Sequence, residues 1–359
     1  MSTHQSRNAV VVGAGPAGLA AAAMLAHTGI STVVLERGDA VTESWRHRYD
    51  GLRLNTVRWM SSLPGFRMAR DLGAWPDRDS WVTYLERYAS AHHRIDTDAD
   101  GWLLRSPGGD RRASTVVVAT GHDHTPVIPN WPGRAGFTGE LLHSAQFCSA
   151  GEFRGRDVLV VGSGNSATEI AHFLVSGGAG RVQLSVRTPP LVLQRKCIGL
   201  PLTAFALPGR LLPDRVIDAA GRALARIMHG DLRPFGLPPS PRGLSRMRHT
   251  YWSPPMDSGF VADLKNRAIE VVPAVERLDD TYVHLADGRR VRPDALIAAT
   301  GYHSGLEPLV GHLDVLDDAG QPTARNPRPH LHFAGFRFGL AALLPYIGKD
   351  ARAIAHTER

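Results

Sequence analysis

Cysteine is nearly absent from this 359-residue sequence: Cys148 and Cys197 are its only thiols, and no Cys-x-x-Cys occurs. Two such thiols build neither a disulfide framework nor a dithiol redox centre, which speaks against thioredoxin-reductase-like chemistry. Lysine is almost as scarce. Lys196, Lys265 and Lys349 are the whole complement, so the formal charge of +7 rests on arginine. That bias reads as the mark of a GC-rich, bacterial genome. The arginines are dispersed, with no basic run longer than a pair, so no nucleic-acid surface is expected. Metal-ligand spacings are missing too. There is no His-Glu-x-x-His; His122 and His124 flank Asp123 in a loop, and His92 and His93 end a helical pattern, so no metal is expected. No apolar run reaches the length of a membrane span. The apolar stretch after Arg7 carries no signal-cleavage pattern and is broken by Gly13, Gly15, Pro16 and Gly18, so the expected compartment is the cytoplasm. Glycine and proline, by contrast, are plentiful at 37 and 25 residues, which suits a fold with many tight turns.

The chain is long enough for two domains with full cores, and it carries one plan twice. Ala9 to Val12 reads as a buried parallel strand. Gly13-Ala14-Gly15-Pro16-Ala17-Gly18 follows, then an Ala-rich helix to about His27 and a second strand, Ser31 to Leu35, ending at Glu36. This is the dinucleotide-binding βαβ pattern in its full context. Gly13 allows the tight turn, Gly15 lets the backbone approach a pyrophosphate, and Gly18 lets helix and strand pack closely. The helix N-terminus offers free N–H groups to the phosphates. Glu36 can accept hydrogen bonds from ribose hydroxyls. The second copy runs from a strand at Val158 to Val161 through Gly162-Ser163-Gly164-Asn165-Ser166-Ala167 to a strand ending at Val186. Here Ala167 replaces the third glycine, and Arg187 stands where the first copy has Glu36. A carboxylate at that place would repel the 2′-phosphate of NADPH, whereas Arg can pair with it. The first site therefore reads as FAD and the second as NADPH, with Arg195 and Lys196 near enough in sequence to assist. Each copy closes on an apolar strand ending in Ala-Thr-Gly, at Thr120-Gly121 and Thr300-Gly301, and a last strand of the first domain ends at Gly335. The fold class expected is α/β, with two Rossmann-like dinucleotide-binding domains: 1–152 and 291–359 for FAD, and 153–290 for NADPH with a helical insertion near 188–256. Two such plans predict hydride transfer between the two nucleotides.

Phe137-Thr138-Gly139, His143 and Phe147 fit F-x-G-x-x-x-H-x-x-x-[YF], just before the second glycine loop, and Ala299 to Tyr302 adds Ala-Thr-Gly-Tyr. This resembles the flavin-containing monooxygenase family, class B flavoprotein monooxygenases. Leu35-Glu36-Arg37, Ser44-Trp45-Arg46, Tyr49 to Leu54, Leu63-Pro64, Gly230-Asp231-Leu232 and Phe235-Gly236-Leu237 extend the resemblance along nearly the whole chain, and they are most similar to its YUCCA-type branch. The resemblance implies an enzyme that reduces FAD with NADPH and inserts one atom of molecular oxygen into a small organic substrate through a flavin C4a-(hydro)peroxide. N- or S-oxygenation and oxidative decarboxylation of a 2-oxo acid are both open. The alternatives are an NADPH-dependent flavoprotein reductase or oxidase without oxygen transfer, and a Baeyer–Villiger enzyme. Asn55-Thr56 departs from the pattern of the plant members, and Asn55 resembles the Asn that the wider family places beside the flavin. Asn55 is thus the candidate catalytic residue, with a turn-forming role as its alternative. Arg37, Trp45 and Arg46 are candidate FAD contacts, although Trp45 also suits a core. Phe137 and His143 are expected to be structural. Within 188–256 an amphipathic helix is predicted from about Asp214 to Met228, with Ile217, Ala220, Leu224 and Ile227 or Met228 on its apolar face. A lid, a homodimer surface and a simple core cover all fit it.

Overall fold

A computed structural model describes residues 7–90, 102–104, 110–197, 200–202, 211–340 and 343–359. The expected helix end at His92 and His93 lies outside the described residues. Backbone contacts divide the chain into two units, Met1–Thr125 with His303–Arg359, and Pro126–Tyr302.

The first unit opens with β1 (Asn8–Val12), α1 (Pro16–His27) and β2 (Ser31–Leu35), followed by α2 (Arg78–Ser90) and β3 (Thr115–Val118). β1 pairs in parallel with β2, Asn8 opposite Ser31, and with β3, Ala9 opposite Thr115. Strands of a parallel sheet are covered on both faces, which explains the unbroken apolar runs. α2 buries Trp81, Tyr84, Leu85 and Tyr88 on one side, with the Trp81 and Tyr84 rings stacked at 5.4 Å.

The second unit contributes β4 (Glu140–His143), β5 (Asp157–Val161), α3 (Asn165–Gly177), β6 (Arg181–Ser185), α4 (Asp214–His229), α5 (Phe260–Lys265), β7 (Ile269–Val272) and β8 (Ala295–Ala298). Its parallel sheet has the order β7-β6-β5-β8-β4. β4 and β8 pair with each other, Ala295 opposite Glu140, inside this sheet. The divisions therefore fall at 125/126 and 302/303, whereas sequence reasoning set them at 152/153 and 290/291. Strand pairing decides where 140–143 and 295–298 belong, and composition carries no mark of it. A small antiparallel sheet, Val275–Leu278, Val283–Leu285 and Arg290–Val291, adjoins the core of Leu159, Leu278, Val283, Leu285 and Leu296.

α4 lies where the periodicity predicts. Ile217, Gly221 and His229 are buried, Leu224 and Met228 are half-buried, and Ile227, the alternative to Met228, is 80% exposed. Ala220 is exposed as well. The small Gly221 is what the neighbouring chain packs against: a Cβ there would fall 2.7 Å from the Leu244 side chain.

The chain then returns to the first unit with β9 (Leu331–Phe333), parallel to β3, completing the order β2-β1-β3-β9. It ends in α6 (Leu344–Thr357). α6 buries Ile347, Ala351, Ile354 and Ala355, a helical stripe, against α1, which presents Leu19, Ala20, Ala21, Ala23 and Leu25. Alanine on both helices lets their axes come close.

Candidate cofactor sites

In the first unit the chain makes its tight turn where β1 ends. The Gly13 N–H donates to the Leu35 carbonyl (2.7 Å) and the Ala119 N–H to that of Val12 (2.8 Å), so three strand ends converge. Gly13 has φ of +107°, and a Cβ on it would fall 2.6 Å from the Ala119 oxygen. A Cβ on Gly18 would fall 1.8 Å from the Gly13 oxygen. Both glycines are required by backbone approach. Gly15 and Gly121 differ: a Cβ at either would meet nothing within 4 Å. They border open space above the strand ends. Gly15 caps α1 without a side-chain partner, no acidic residue lies in the first turn, and Pro16 opens the helix, so its first N–H groups are unclaimed by side chains. Ala17 lies in that first turn and is backed by Gly335, whose φ is +81° and where a Cβ would lie 2.7 Å from the Ala17 methyl.

Glu36 does more than end β2. Its Oε2 accepts from the Ala14 N–H (2.8 Å), and its Oε1 accepts from the N–H groups of Arg37 (2.8 Å) and Gly38 (3.0 Å). A carboxylate offers about four lone-pair sites, so capacity for a hydroxyl donor remains. Two hydroxyls nearby have none of their hydrogen bonds made. Thr42, fully buried at φ +66°, donates its N–H to the Ala14 oxygen (3.1 Å), while its Oγ1 has no partner among the described residues. Thr120, whose Cα lies beside the Gly13 turn, has an equally orphaned Oγ1. Free helix N–H groups, open space at Gly15 and Gly121, and two unsatisfied hydroxyls fit a dinucleotide. Thr42 was not singled out from the sequence; its left-handed backbone is a tertiary feature with no local signature.

The remaining candidates of this unit are held by protein. Arg46 pairs with Glu86 on α2. Trp45 meets Trp81 edge-on at 5.8 Å and packs on the core. Arg37 lies 3.3 Å from His124 Nε2, and burial together with the Arg37 charge lowers the pKa of that imidazole. Asn55 is half-buried in a stretch braced by Leu54 N–H to Pro76 (2.9 Å), Thr56 to Ser61 (2.7 Å) and Leu63 N–H to the Tyr84 hydroxyl (2.7 Å).

In the second unit Gly162, φ +143°, passes 2.3 Å from the Ala299 oxygen by the same measure, and Gly164 and Gly301 border open space. α3 begins without a side-chain cap or an acidic residue. Ala167 is fully buried where the first copy needs glycine. Ser166 follows Asn165, whose side chain is occupied: it donates to Ser253 Oγ (3.0 Å) and accepts from the Met256 N–H (3.1 Å). The inserted segment is thereby tied to the start of α3. Arg187 is exposed just beyond β6. Arg195 reaches the buried Glu169 (3.3 Å). Burial, then the charges of Arg246 and Arg187, lower the pKa of the half-buried Arg242.

The family motif resolves into a clip. The Phe137 ring lies over Gly139, where a Cβ would fall 2.5 Å from it. Phe147 is buried and stacks on Phe153 at 5.7 Å. His143 Nδ1 accepts from the Ala145 N–H (3.1 Å), which leaves Nε2 as the protonated nitrogen donating to the Gly301 carbonyl (3.0 Å). That carbonyl also accepts from the Val127 N–H (3.0 Å), and the Thr300 hydroxyl donates to the Val127 oxygen. The imidazole is a strut under the Thr300-Gly301 turn. Among the described residues no three His, Cys, Asp or Glu side chains converge as a metal site, and no helix is long and apolar enough to cross a membrane.

Two nucleotide cradles on two parallel sheets define a flavoprotein oxidoreductase with two dinucleotide-binding domains. Residues 7–198 match the pyridine nucleotide-disulphide oxidoreductase family and residues 110–306 the flavin-binding monooxygenase-like family. An indole-3-pyruvate monooxygenase of Oryza sativa subsp. japonica is 35% identical over 314 residues, covering 83% of this chain and 77% of its own. A probable indole-3-pyruvate monooxygenase of Arabidopsis thaliana is 30% identical over 379 residues, covering 97% and 85%. A flavin-containing monooxygenase from Stenotrophomonas maltophilia, 22% identical, superposes with a TM-score of 0.69 over 98% of this chain and 100% of the other. The chain belongs to the flavin-binding monooxygenase-like family. It is a flavin-dependent monooxygenase with FAD and NADPH as cofactors.

Proposed function

We propose that this enzyme oxidatively decarboxylates a 2-oxo acid with an aromatic or similarly bulky side chain. The single observation that carries the reading is the likeness to indole-3-pyruvate monooxygenases along most of the chain. The balanced reaction takes the 2-oxo acid, NADPH, a proton and O₂ to the shortened carboxylic acid, CO₂, NADP⁺ and water. FAD supplies the oxygen-activating redox chemistry and NADPH the hydride.

The chain's own residues bind and orient. The N–H groups at the start of α1, with Gly13, Gly15 and Gly18, receive the FAD pyrophosphate, and Glu36 keeps a lone pair for its ribose. The start of α3, with Gly162 and Gly164, receives the NADPH pyrophosphate, and Arg187 meets the 2′-phosphate. Thr120-Gly121 and Thr300-Gly301 leave open backbone at the ends of β3 and β8. Asn55 offers both a donor and an acceptor without a proton to lose. N- or S-oxygenation is the second reading, favoured by Asn55-Thr56, which departs from the plant pattern. A cytoplasmic, bacterial setting and a homodimer belong to the proposal as well, on the composition and the inserted segment.

Incubation with NADPH, ¹⁸O₂ and a panel of arylpyruvates, amines and sulfides tests it. The expected result is one CO₂ and one arylacetate carrying a single ¹⁸O per NADPH. Oxygenated amine or sulfide with inert arylpyruvates selects the second reading. Release of one hydrogen peroxide, formed from O₂, per NADPH oxidised to NADP⁺ with every compound would overturn both in favour of a reductase or oxidase. Asn55→Ala should raise the peroxide released per NADPH several-fold at unchanged flavin content; unchanged coupling would reduce Asn55 to a turn former.

A further inference from the structure

The helix of the inserted segment carries a second apolar row that the core does not use. One side of α4 packs within its own unit: Ile217 and Gly221 are buried, and a Cβ on Gly221 would fall 2.7 Å from the Leu244 side chain. On another side Val216, Ala219, Ala220, Ala223 and Ile227 are all exposed. They recur every three or four residues, so they form one strip along the helix. Leu211 and Leu212 extend it before the first turn, and Leu211 is 92% exposed. Contiguous exposed apolar groups of this kind mark contact sites. A row of guanidinium groups runs beside the strip. Arg215, Arg222 and Arg226, at intervals of seven and four, are exposed. Among the described residues no carboxylate lies within ion-pair distance of any of the three. The acids of α4 are engaged elsewhere. Asp214 holds Arg248 (2.7 Å) and His249 (3.1 Å), and Asp218 accepts from the Ser245 N–H (2.7 Å) and hydroxyl (3.0 Å). Asp231, just past the helix end, holds Arg233 (2.7 Å).

We propose that α4 is an interfacial helix that docks the enzyme reversibly onto an anionic lipid bilayer. The apolar row enters the boundary of the acyl chains, and the arginines beside it lie at the level of the anionic headgroups. Charge complementarity selects this occupant. A second copy of the chain on the same face would bring two arginine rows into one contact with no free carboxylate between them, so a homodimer uses another face of the insertion. A protein groove takes a helix by large anchors at successive turns, but the middle of this row is Ala219, Ala220 and Ala223. The proposal is independent of the substrate and of the coenzyme preference.

The FAD-loaded enzyme is sedimented with vesicles of phosphatidylcholine and phosphatidylglycerol at about three to one, or of phosphatidylcholine alone. Partitioning onto the anionic vesicles should exceed that onto the neutral ones at least tenfold at about 0.1 M salt, and should weaken as salt is raised. Arg215→Gln, Arg222→Gln and Arg226→Gln together should lower anionic binding about a hundredfold, at roughly fivefold per cation. Val216→Ser with Ile227→Ser should lower it at least tenfold. All these positions are exposed, so flavin absorbance should stay at the wild-type level and report an intact fold. Leu309→Ser and Arg292→Gln, exposed positions off the insertion, should match wild type. Wild type that stays in the supernatant with both vesicles would overturn the proposal, as would equal partitioning of wild type and the α4 variants. A dimer in sedimentation velocity that Val216→Ser with Ile227→Ser dissociates, without vesicle binding, would overturn it in favour of a second copy.

Discussion

The two glycine loops begin from one pattern and are finished by different means. In the first, the loop is closed from within its own βαβ unit: both Glu36 oxygens accept from the backbone at Ala14, Arg37 and Gly38. In the second, the residue after the strand is an exposed arginine, and closure comes from the inserted segment through Asn165. Pro16 and Asn165 occupy the same place in the two helices. Proline presets the backbone of the first turn, whereas asparagine provides a side chain for a distant partner. The third glycine differs as well. A methyl group at Gly18 would fall 1.8 Å from the Gly13 oxygen, but Ala167 fits with its Cβ 3.4 Å from the Cβ position of Gly162. The first loop is tied by a side chain of its own βαβ unit; the second is tied by side-chain bonds to chain far away in sequence.

Substitutions at matched positions can break that contrast. The largest effect is expected for Gly18→Ala. No flexible side chain can yield there, because the clashing atom is backbone, and overpacking of this kind costs about 1–3 kcal/mol or more. The protein should be purified without flavin, read from its absorbance near 450 nm; normal flavin content would show that α1 can shift as α3 has. Glu36→Gln comes next. It replaces charge-assisted acceptors, each contributing about 1.5–3 kcal/mol, and should weaken FAD by roughly ten- to a hundred-fold. Titration of the apoprotein followed by flavin fluorescence checks this, and an unchanged dissociation constant would remove Glu36 from the site.

A third prediction concerns α6, which closes the first unit. Glu358, 2% exposed, lies just past its end, accepting from Thr115 Oγ1 (2.7 Å) and facing His332 Nε2 (2.6 Å) and His330 Nδ1 (2.9 Å). Burial alone would raise its pKa, but the hydrogen bonds from Thr115, His332 and His330 outweigh it and hold the carboxyl below 4.5. A depressed carboxylate contributes stability that is present above the unfolded value and lost as pH falls through the folded one. Stability should therefore decline below about pH 4.5 as this group protonates, and Glu358→Gln should flatten that decline in a pH series of urea melts. An identical slope in the variant would assign the acid sensitivity elsewhere. The smallest effect is expected for Ala167→Gly, about 0.5–1 kcal/mol of helix stability with NADPH binding retained. A thermal melt and a coenzyme titration measure both quantities.

Much of this molecule was legible before its structure. Short-range steric rules wrote the two turns into the sequence, because Gly13 and Gly162 must let a neighbouring strand's carbonyl pass and only glycine does so. Apolar runs marked the buried strands. The His143 strut was foreseen as structural, though not its partner. The ion pair of Arg195 with Glu169 and the packing of Leu244 onto Gly221 lie outside any local window.

The sequence by itself determined what is set within a few residues: glycine turns and the strand and helix periods. The tertiary structure alone decided what depends on partners distant in the chain. It placed 140–143 and 295–298 in the second sheet, closed the first unit with the C-terminal helix, and tied the inserted segment to the start of α3 through Asn165. The physical reason is range. Backbone sterics act between neighbours in sequence, whereas strand pairing, helix packing and electrostatics act through space and take their partners from wherever the fold delivers them.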